Sequence, residues 1–315
     1  MKCTLCGEQT VYVRQYDKLA LCIRHFNEQM RKRVQKTITR YKMLGRRDRI
    51  AIGVSGGKDS IALLDIMSRI EKDFPESNLV AIIIDEGIEN YRDEGLHFAK
   101  MNAERLNIEH HVFSFKHDFG YDLDNIIEIL GERGKDREYG ACSYCGILRR
   151  KILNKAAKEV GADVLLTGHN LEDEAETVLL NIIRGDIQRL VRLDPKPRKI
   201  HHSLVPRAKP FRTSPQAEIV MYCYLNDLEY QEIPCPYAIE AYRGDVRDFI
   251  FKTQEKQPML SFNIVRGLDK LLKMVSDIPT SKKMQDCKKC GEATASDLCR
   301  GCWLKDKVQS IKELK

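Results

Sequence analysis

The chain has 315 residues, 43% hydrophobic and 31% charged, enough to bury a substantial core and to carry one catalytic domain with small appendages. It contains no run of about eighteen apolar residues, which excludes a membrane-spanning helix. Its opening MKCTLC lacks the apolar stretch of a secretion signal, so the expected location is the cytoplasm. The 53 Lys and Arg against 46 Asp and Glu leave a formal charge of +7, which suits a polyanionic partner without requiring one. Eleven cysteines, an odd number with no export signal, point to metal ligation or catalysis rather than to disulfides.

Residues 1–28 read as a short Cys/His module. Cys3 and Cys6 stand three apart, as do Cys22 and His25. Two such pairs joined by a loop meet the needs of a tetrahedral zinc ion, and four protein ligands leave no open position, so the expected role is structural.

Residues 29–275 alternate strand and helix patterns and form the expected catalytic domain. The apolar runs at 49–54 and 79–84 read as buried strands, with 110–115 a third strand and 163–166 a fourth. Helical spacing appears at 60–70, 91–106, 122–132, 148–160 and 171–184. That alternation implies right-handed crossovers and an α/β fold with a doubly wound parallel sheet. The run DPKPRKIHHSLVPRAKP at 194–210 is rich in proline and basic residues and reads as a loop suited to a phosphate backbone. Helices then dominate to about residue 276. Residues 280–304 form a second module with Cys287, Cys290, Cys299 and Cys302, again two pairs at zinc spacing, with an iron–sulfur cluster as the alternative.

The first strand ends in Ser55-Gly56-Gly57-Lys58-Asp59-Ser60, which also opens the first helix. Two glycines allow a tight turn that brings backbone N–H groups against an anion, and the helix N-terminus adds partial positive charge. The Ser55 and Ser60 hydroxyls and the Lys58 charge complete a phosphate cradle. The spacing is that of neither a Walker A loop nor a dinucleotide fingerprint. SGGKDS after an apolar strand resembles the pyrophosphate loop of the adenine-nucleotide alpha-hydrolase-like enzymes, which split ATP between the alpha and beta phosphates and transfer AMP to a substrate oxygen. Ile84-Asp85-Glu86-Gly87 closes the second strand, where such enzymes hold adenine. Thr167 to Thr177 (TGHNLEDEAET) follows the fourth strand and resembles that family's second nucleotide motif. Both lie at carboxyl ends of strands, where open α/β sheets place ligands.

Four cysteines remain. Cys142 and Cys145 form a C-x-x-C ahead of a basic helix, open to reading as a redox dithiol, half a zinc site or two ligands of a cluster. Cys235 sits in Pro234-Cys235-Pro236, a rigid turn, and Cys223 lies in an apolar helical segment and reads as core.

The whole set, including CSYC, PCPYA and the two terminal modules, resembles the tRNA 2-thiolation enzymes of the TtuA type and their archaeal and eukaryotic wobble-uridine relatives. The resemblance implies an ATP-dependent tRNA sulfurtransferase that adenylates the C2 oxygen of a uridine and replaces it with sulfur. It implies a 4Fe-4S cluster on Cys142, Cys145 and Cys235 with one iron free of protein. It also implies phosphate contacts from Ser55, Gly56, Gly57, Lys58, Asp59 and Ser60, with Ile84, Gly168 and Asp173 completing the nucleotide site. Asp59 and Asp173 would position nucleotide and magnesium. Arg149, or alternatively Lys151, would face the nucleotide. Expected partners are tRNA, acted on at either the wobble or a T-loop uridine with the wobble position favoured, and a sulfur donor, either a ubiquitin-like carrier protein or sulfide; the family also suggests a homodimer. Two rival readings are a cluster-free thiolase that uses a cysteine persulfide or disulfide, and a zinc-ribbon RNA-binding protein regulated by a nucleotide.

Overall fold

The computed structural model describes residues 1–240, 243–275 and 284–314. A small antiparallel ribbon, β1 (Tyr12–Val13) and β2 (Ala20–Leu21), leads into the long helix α1 (Ile23–Tyr41), which runs through the module boundary expected at residue 28. Then β3 (Arg49–Gly53), α2 (Lys58–Glu71), β4 (Asn78–Asp85), α3 (Arg92–Arg105) and β5 (Glu109–Ser114) alternate. After the short α4 (Phe115–Phe119) come α5 (Leu123–Leu130), α6 (Ala141–Glu159), β6 (Val164–Leu166), α7 (Leu171–Ile183) and α8 (Ile187–Val191). The chain continues through β7 (Arg207–Ala208), α9 (Gln216–Leu225), α10 (Arg243–Lys256) and α11 (Leu260–Met274). A second ribbon, β8 (Gln285–Asp286) with β9 (Ala293–Thr294), precedes α12 (Arg300–Leu314). The ends expected at residues 276 and 280 for the helical part and the second module fall outside the described residues.

Five strands pair in the order β5-β4-β3-β6-β7, all parallel. The apolar runs of β3 and β4 are continuous because helices cover both faces of the sheet. Ile50, Ile52, Leu79, Ala81 and Ile83 pack into one core with α1, α2 and α9, whereas Ala51, Val80, Ile82 and Ile84 pack into another with α5, α6 and α12. Alternation at period two sorts them. Strand order reverses between β3 and β6, so a crevice opens at the carboxyl ends of these two strands. Both nucleotide motifs lie there.

Two expectations change. The helix read at 148–160 begins at Ala141, so the C-x-x-C lies within its first turns rather than ahead of it. Ala141, Tyr144, Cys145 and Leu148 continue the helical spacing, with Tyr and Cys packing as the apolar residues. The basic loop hides a fifth strand, for Arg207 and Ala208 pair with Leu165 and Leu166. Two residues after a proline are too short for any periodic signal.

Candidate active site and metal centres

The phosphate loop is held from within. Gly56 has φ +89°, a conformation open to glycine, and a Cβ there would lie 2.1 Å from the Gly95 carbonyl oxygen. Ser60 Oγ accepts from the Ser55 amide (3.1 Å) and donates to the Gly57 carbonyl (2.9 Å), so this hydroxyl shapes the turn. Gly57 is the N-cap of α2 without a side-chain cap of its own, which leaves the first amides of a 14-residue helix facing the crevice. Lys58 Nζ donates to Asp59 at 2.8 Å, and Asn170 Nδ2 donates to the other Asp59 oxygen at 3.0 Å. Asn170 and Asp173 form a capping box that starts α7. Gly168 packs flush on the loop; a Cβ would come within 2.9 Å of the Asp59 carbonyl group and 3.0 Å of the Ser60 amide nitrogen.

A cavity of about 280 Å³ fills the crevice, lined by Ser55, Asp59 and Ser60 on one side and Gly168, His169 and Asp173 on the other. Ile84, Glu86, Arg92, Arg149 and Arg243 also line it. Glu86 is buried between two guanidinium groups, Arg92 at 2.7 Å and Arg149 at 2.9 Å. Arg92 is 4% exposed and also donates to the carbonyls of Ile84 (2.9 Å) and Ser55 (2.5 Å). It therefore ties the second strand to the phosphate loop. Sequence reasoning missed Arg92, Arg243 and the pairing role of Glu86. An arginine at a helix start looks like an ordinary surface charge until the fold buries it. Lys151, the alternative to Arg149, points elsewhere: its ammonium donates to Glu292 (2.6 Å) and Cys290 (3.2 Å).

Arg149 joins the cavity to the central cysteines, donating to Cys145 Sγ at 3.2 Å. Cys142 and Cys145 lie one turn apart on α6, and Cys142 Sγ donates to the Tyr237 carbonyl at 3.4 Å. Tyr237 stands two residues past Cys235, and Cys235 packs in the same apolar cluster as Cys145. None of the three is in a disulfide. Burial pushes Cys145 up to about 11, and burial also raises Cys142 and Cys235. Cys223 is fully buried, with Sγ against the Lys58 carbonyl at 3.6 Å, in the other core.

The terminal sets are tighter. Cys3, Cys6, Cys22 and His25 converge, as do Cys287, Cys290, Cys299 and Cys302, with ligand atoms within 4.8 Å of one another in each set. A tetrahedral ion with bonds of about 2.3 Å to sulfur has sulfur–sulfur edges of about 3.8 Å and sulfur–nitrogen edges slightly shorter. The observed separations are 3.7 Å for Cys6–Cys22 and for Cys290–Cys299, and 3.5 and 3.4 Å from His25 Nδ1 to Cys3 and Cys22. Both sets fit a closed, single-ion site. The central thiols are not among the sets at that spacing.

A second cavity, about 650 Å³, lies between α6, the basic loop and the C-terminal module. Arg150, Lys196, Arg198, Arg207 and Arg300 line it. Burial and the neighbouring Arg149 lower the Arg150 pKa, and burial with Arg150 lowers that of Arg207. The cleft holds concentrated positive charge. No helix among the described residues is long and apolar enough to cross a membrane.

Comparisons with known proteins agree with this geometry. A family model described as a PP-loop domain matches residues 25–254. The chain is similar to tRNA 2-thiolation protein NcsA of Haloferax volcanii, 36% identical over 99% of this chain and 100% of that one. It is 34% identical to tRNA-5-methyluridine(54) 2-sulfurtransferase of Thermotoga maritima, covering 99% and 98% of the two chains. The solved structure of the U34-tRNA thiolase NcsA from Methanococcus maripaludis with its [4Fe-4S] cluster superimposes with a TM-score of 0.83 at 34% identity, over 98% of this chain and 96% of that one. A phosphate loop at the switch point of a parallel sheet, a cysteine set across the cavity and end-to-end similarity lead to one assignment: the chain belongs to the PP-loop domain family and, within it, to the tRNA 2-thiolation enzymes.

Proposed function

We propose that the protein uses ATP to adenylate the C2 oxygen of a tRNA uridine and exchanges that oxygen for sulfur, with a 4Fe-4S cluster on Cys142, Cys145 and Cys235 and structural zinc in both terminal sets. The observation that carries this reading is Arg149, which lines the nucleotide cavity and touches Cys145. Activation and sulfur delivery then happen at adjoining places.

A uracil carbonyl carbon is a poor electrophile because its oxygen is a poor leaving group. Attack of that oxygen on the α-phosphorus expels pyrophosphate and makes the oxygen part of AMP. A sulfur nucleophile then adds at C2, and the carbon–oxygen bond breaks to release AMP. The positive N-terminus of α2 would hold the phosphates, with Lys58 adding a charge beside them. Asp59 and Asp173 line the cavity from opposite motifs and are the carboxylates suited to magnesium, which would spread phosphate charge. Ile84 provides an apolar wall for adenine. When bound, a cubane with three protein ligands supplies one iron with an open position for sulfur. Burial raises the three thiols above the ordinary cysteine value, and metal binding would displace their protons.

The basic cleft of about 650 Å³ suits the tRNA backbone. The uridine is proposed to be the wobble one, the site named for the solved relative from M. maripaludis, rather than uridine 54, the site named for the relative from T. maritima. The residue ranges 1–28, 29–275 and 280–304 are proposed as N-terminal zinc module, catalytic domain and C-terminal zinc module. In the testing experiment, unmodified tRNA, ATP and sulfide are incubated anaerobically with reconstituted protein. AMP, pyrophosphate and 2-thiouridine should rise together, with the thiolated nucleotide mapped to the anticodon. ADP as product, or thiolation without AMP, would refute adenylation. If sulfide fails where a carrier thiocarboxylate succeeds, the donor is the carrier.

A further inference from the structure

The three central cysteines come from two segments distant in sequence, and something must fix their relative placement. Cys142 and Cys145 ride on α6, whose N-cap is Gly140 and has no side-chain cap of its own. The cap comes from a distant segment instead. Glu240 Oε2 accepts from the Ala141 amide at 2.8 Å, placing a carboxylate on the positive end of a 19-residue helix. Arg137, 5% exposed, grips the same carboxylate with both arms of its fork, at 2.9 and 2.7 Å. Hydrogen bonds from Arg137 hold the Glu240 carboxyl below its ordinary range. Arg137 is itself anchored on the carbonyls of Gly131 and Tyr139. Arg133 donates to the Glu240 carbonyl at 2.8 Å. Gly140 permits this approach, since a Cβ there would sit 3.2 Å from the Glu240 carbonyl oxygen and 3.3 Å from its side chain.

Glu240 follows Cys235 by five residues. Between them the Ala238 amide donates to the Cys235 carbonyl (2.9 Å), and the Tyr237 hydroxyl donates to Asp124 (2.7 Å). The segment is therefore pinned at three points to α5, α6 and the turn between them.

We propose that Glu240 is a positioning residue: gripped by Arg137 and seated on the Ala141 amide, it latches the Cys235 segment onto the start of α6 and so sets the spacing of Cys235 from Cys142 and Cys145. This rests on the cluster assignment above. Neither residue touches the nucleotide cavity, so the latch acts on the cysteine set alone. Arg137→Lys keeps the charge but loses the fork. Glu240→Gln keeps the shape and an acceptor but loses the charge.

The test measures release of iron to a chelator from anaerobically reconstituted protein, the visible absorption of the cluster, zinc content, and affinity for a non-hydrolysable ATP analogue. Wild type, Glu240→Gln, Arg137→Lys and Cys235→Ser are compared. Both latch variants should release iron about tenfold faster, as expected for losing a charged hydrogen bond. Their zinc content and analogue affinity should match wild type. Iron release at the wild-type rate in both variants would overturn the latch, as would a parallel loss of analogue binding, which would mean general structural damage. If Cys235→Ser keeps its iron, the cluster assignment itself fails, an outcome separate from failure of the latch.

Discussion

The terminal and central cysteine sets use the same side chain for opposite ends. Each terminal set closes on itself, with ligand atoms already at the edges of a tetrahedron for one ion. Each draws its ligands from within about thirty residues of sequence, so local turns suffice to build it. The C-terminal thiolates also accept the Lys151 ammonium and backbone amides such as Cys299 N–H to Cys287 (3.2 Å), contacts that orient and quiet a structural site. The central set is wider and takes Cys142 and Cys145 from a helix and Cys235 from a turn some ninety residues later. It has three members and faces a nucleotide cavity through Arg149. On the proposed assignment, closure suits a site that holds the fold, and an incomplete, shared set beside a cavity suits one that works on a substrate.

Cysteine substitution should break the comparison most sharply. Cys235→Ser should remove cluster iron and thiolation while zinc stays at about two per chain. Cys287→Ser should do the reverse, losing about one zinc and several kcal/mol of stability, since zinc affinity in such modules is folding energy. Elemental analysis with thermal unfolding checks both, and a loss of both metals in either variant would dissolve the distinction. Gly168→Ala comes next. Its methyl group must push the phosphate loop off the second motif, and a displacement of that kind costs about a hundredfold in rate. Single-turnover AMP formation should fall accordingly with iron and zinc unchanged. Glu86→Gln should act on both sides of the cavity, because the carboxylate orients Arg92 and Arg149 together. Loss of one buried charge partner should weaken ATP binding about tenfold and speed iron release, measured by analogue titration and chelation; an effect on neither would show that the relay is passive.

The smallest effect concerns the core, away from both sets. Asp65 is fully buried, and burial alone would raise its pKa, but hydrogen bonds from Arg69, Tyr222 and Arg105 win and lower it. A carboxyl depressed in the folded state lends stability above its unfolded pKa of about 3.9, and that stability is lost as pH falls through the folded value. Wild-type stability should therefore decline below about pH 4, whereas Asp65→Asn should start about 1–2 kcal/mol lower at neutral pH and lack that part of the decline. Denaturant titrations across pH 2–7 measure it.

Much of this was legible beforehand because the responsible signals are local. Buried parallel strands announce themselves as continuous apolar runs, and paired ligands three apart need no fold to be recognised. SGGKDS and the GHNLEDEAET run give the cavity its two walls. Illegible were the features made by packing across long separations. Arg92, Arg243 and Glu240 belong to no motif in the sequence, and Glu86 stands in the strand-end motif with nothing there to show its two arginine partners. The true start of α6 is easy to miss because its buried face there is Tyr and Cys rather than aliphatic, and it is held by a carboxylate about a hundred residues away. The strand at Arg207–Ala208 was hidden by a proline-rich neighbourhood.

The most direct test is the paired count of iron and zinc on one anaerobically reconstituted preparation of wild type and Cys235→Ser. Wild type should carry about four iron and about two zinc per chain, and the variant about two zinc with almost no iron. Iron retained at the wild-type level in the variant would contradict it.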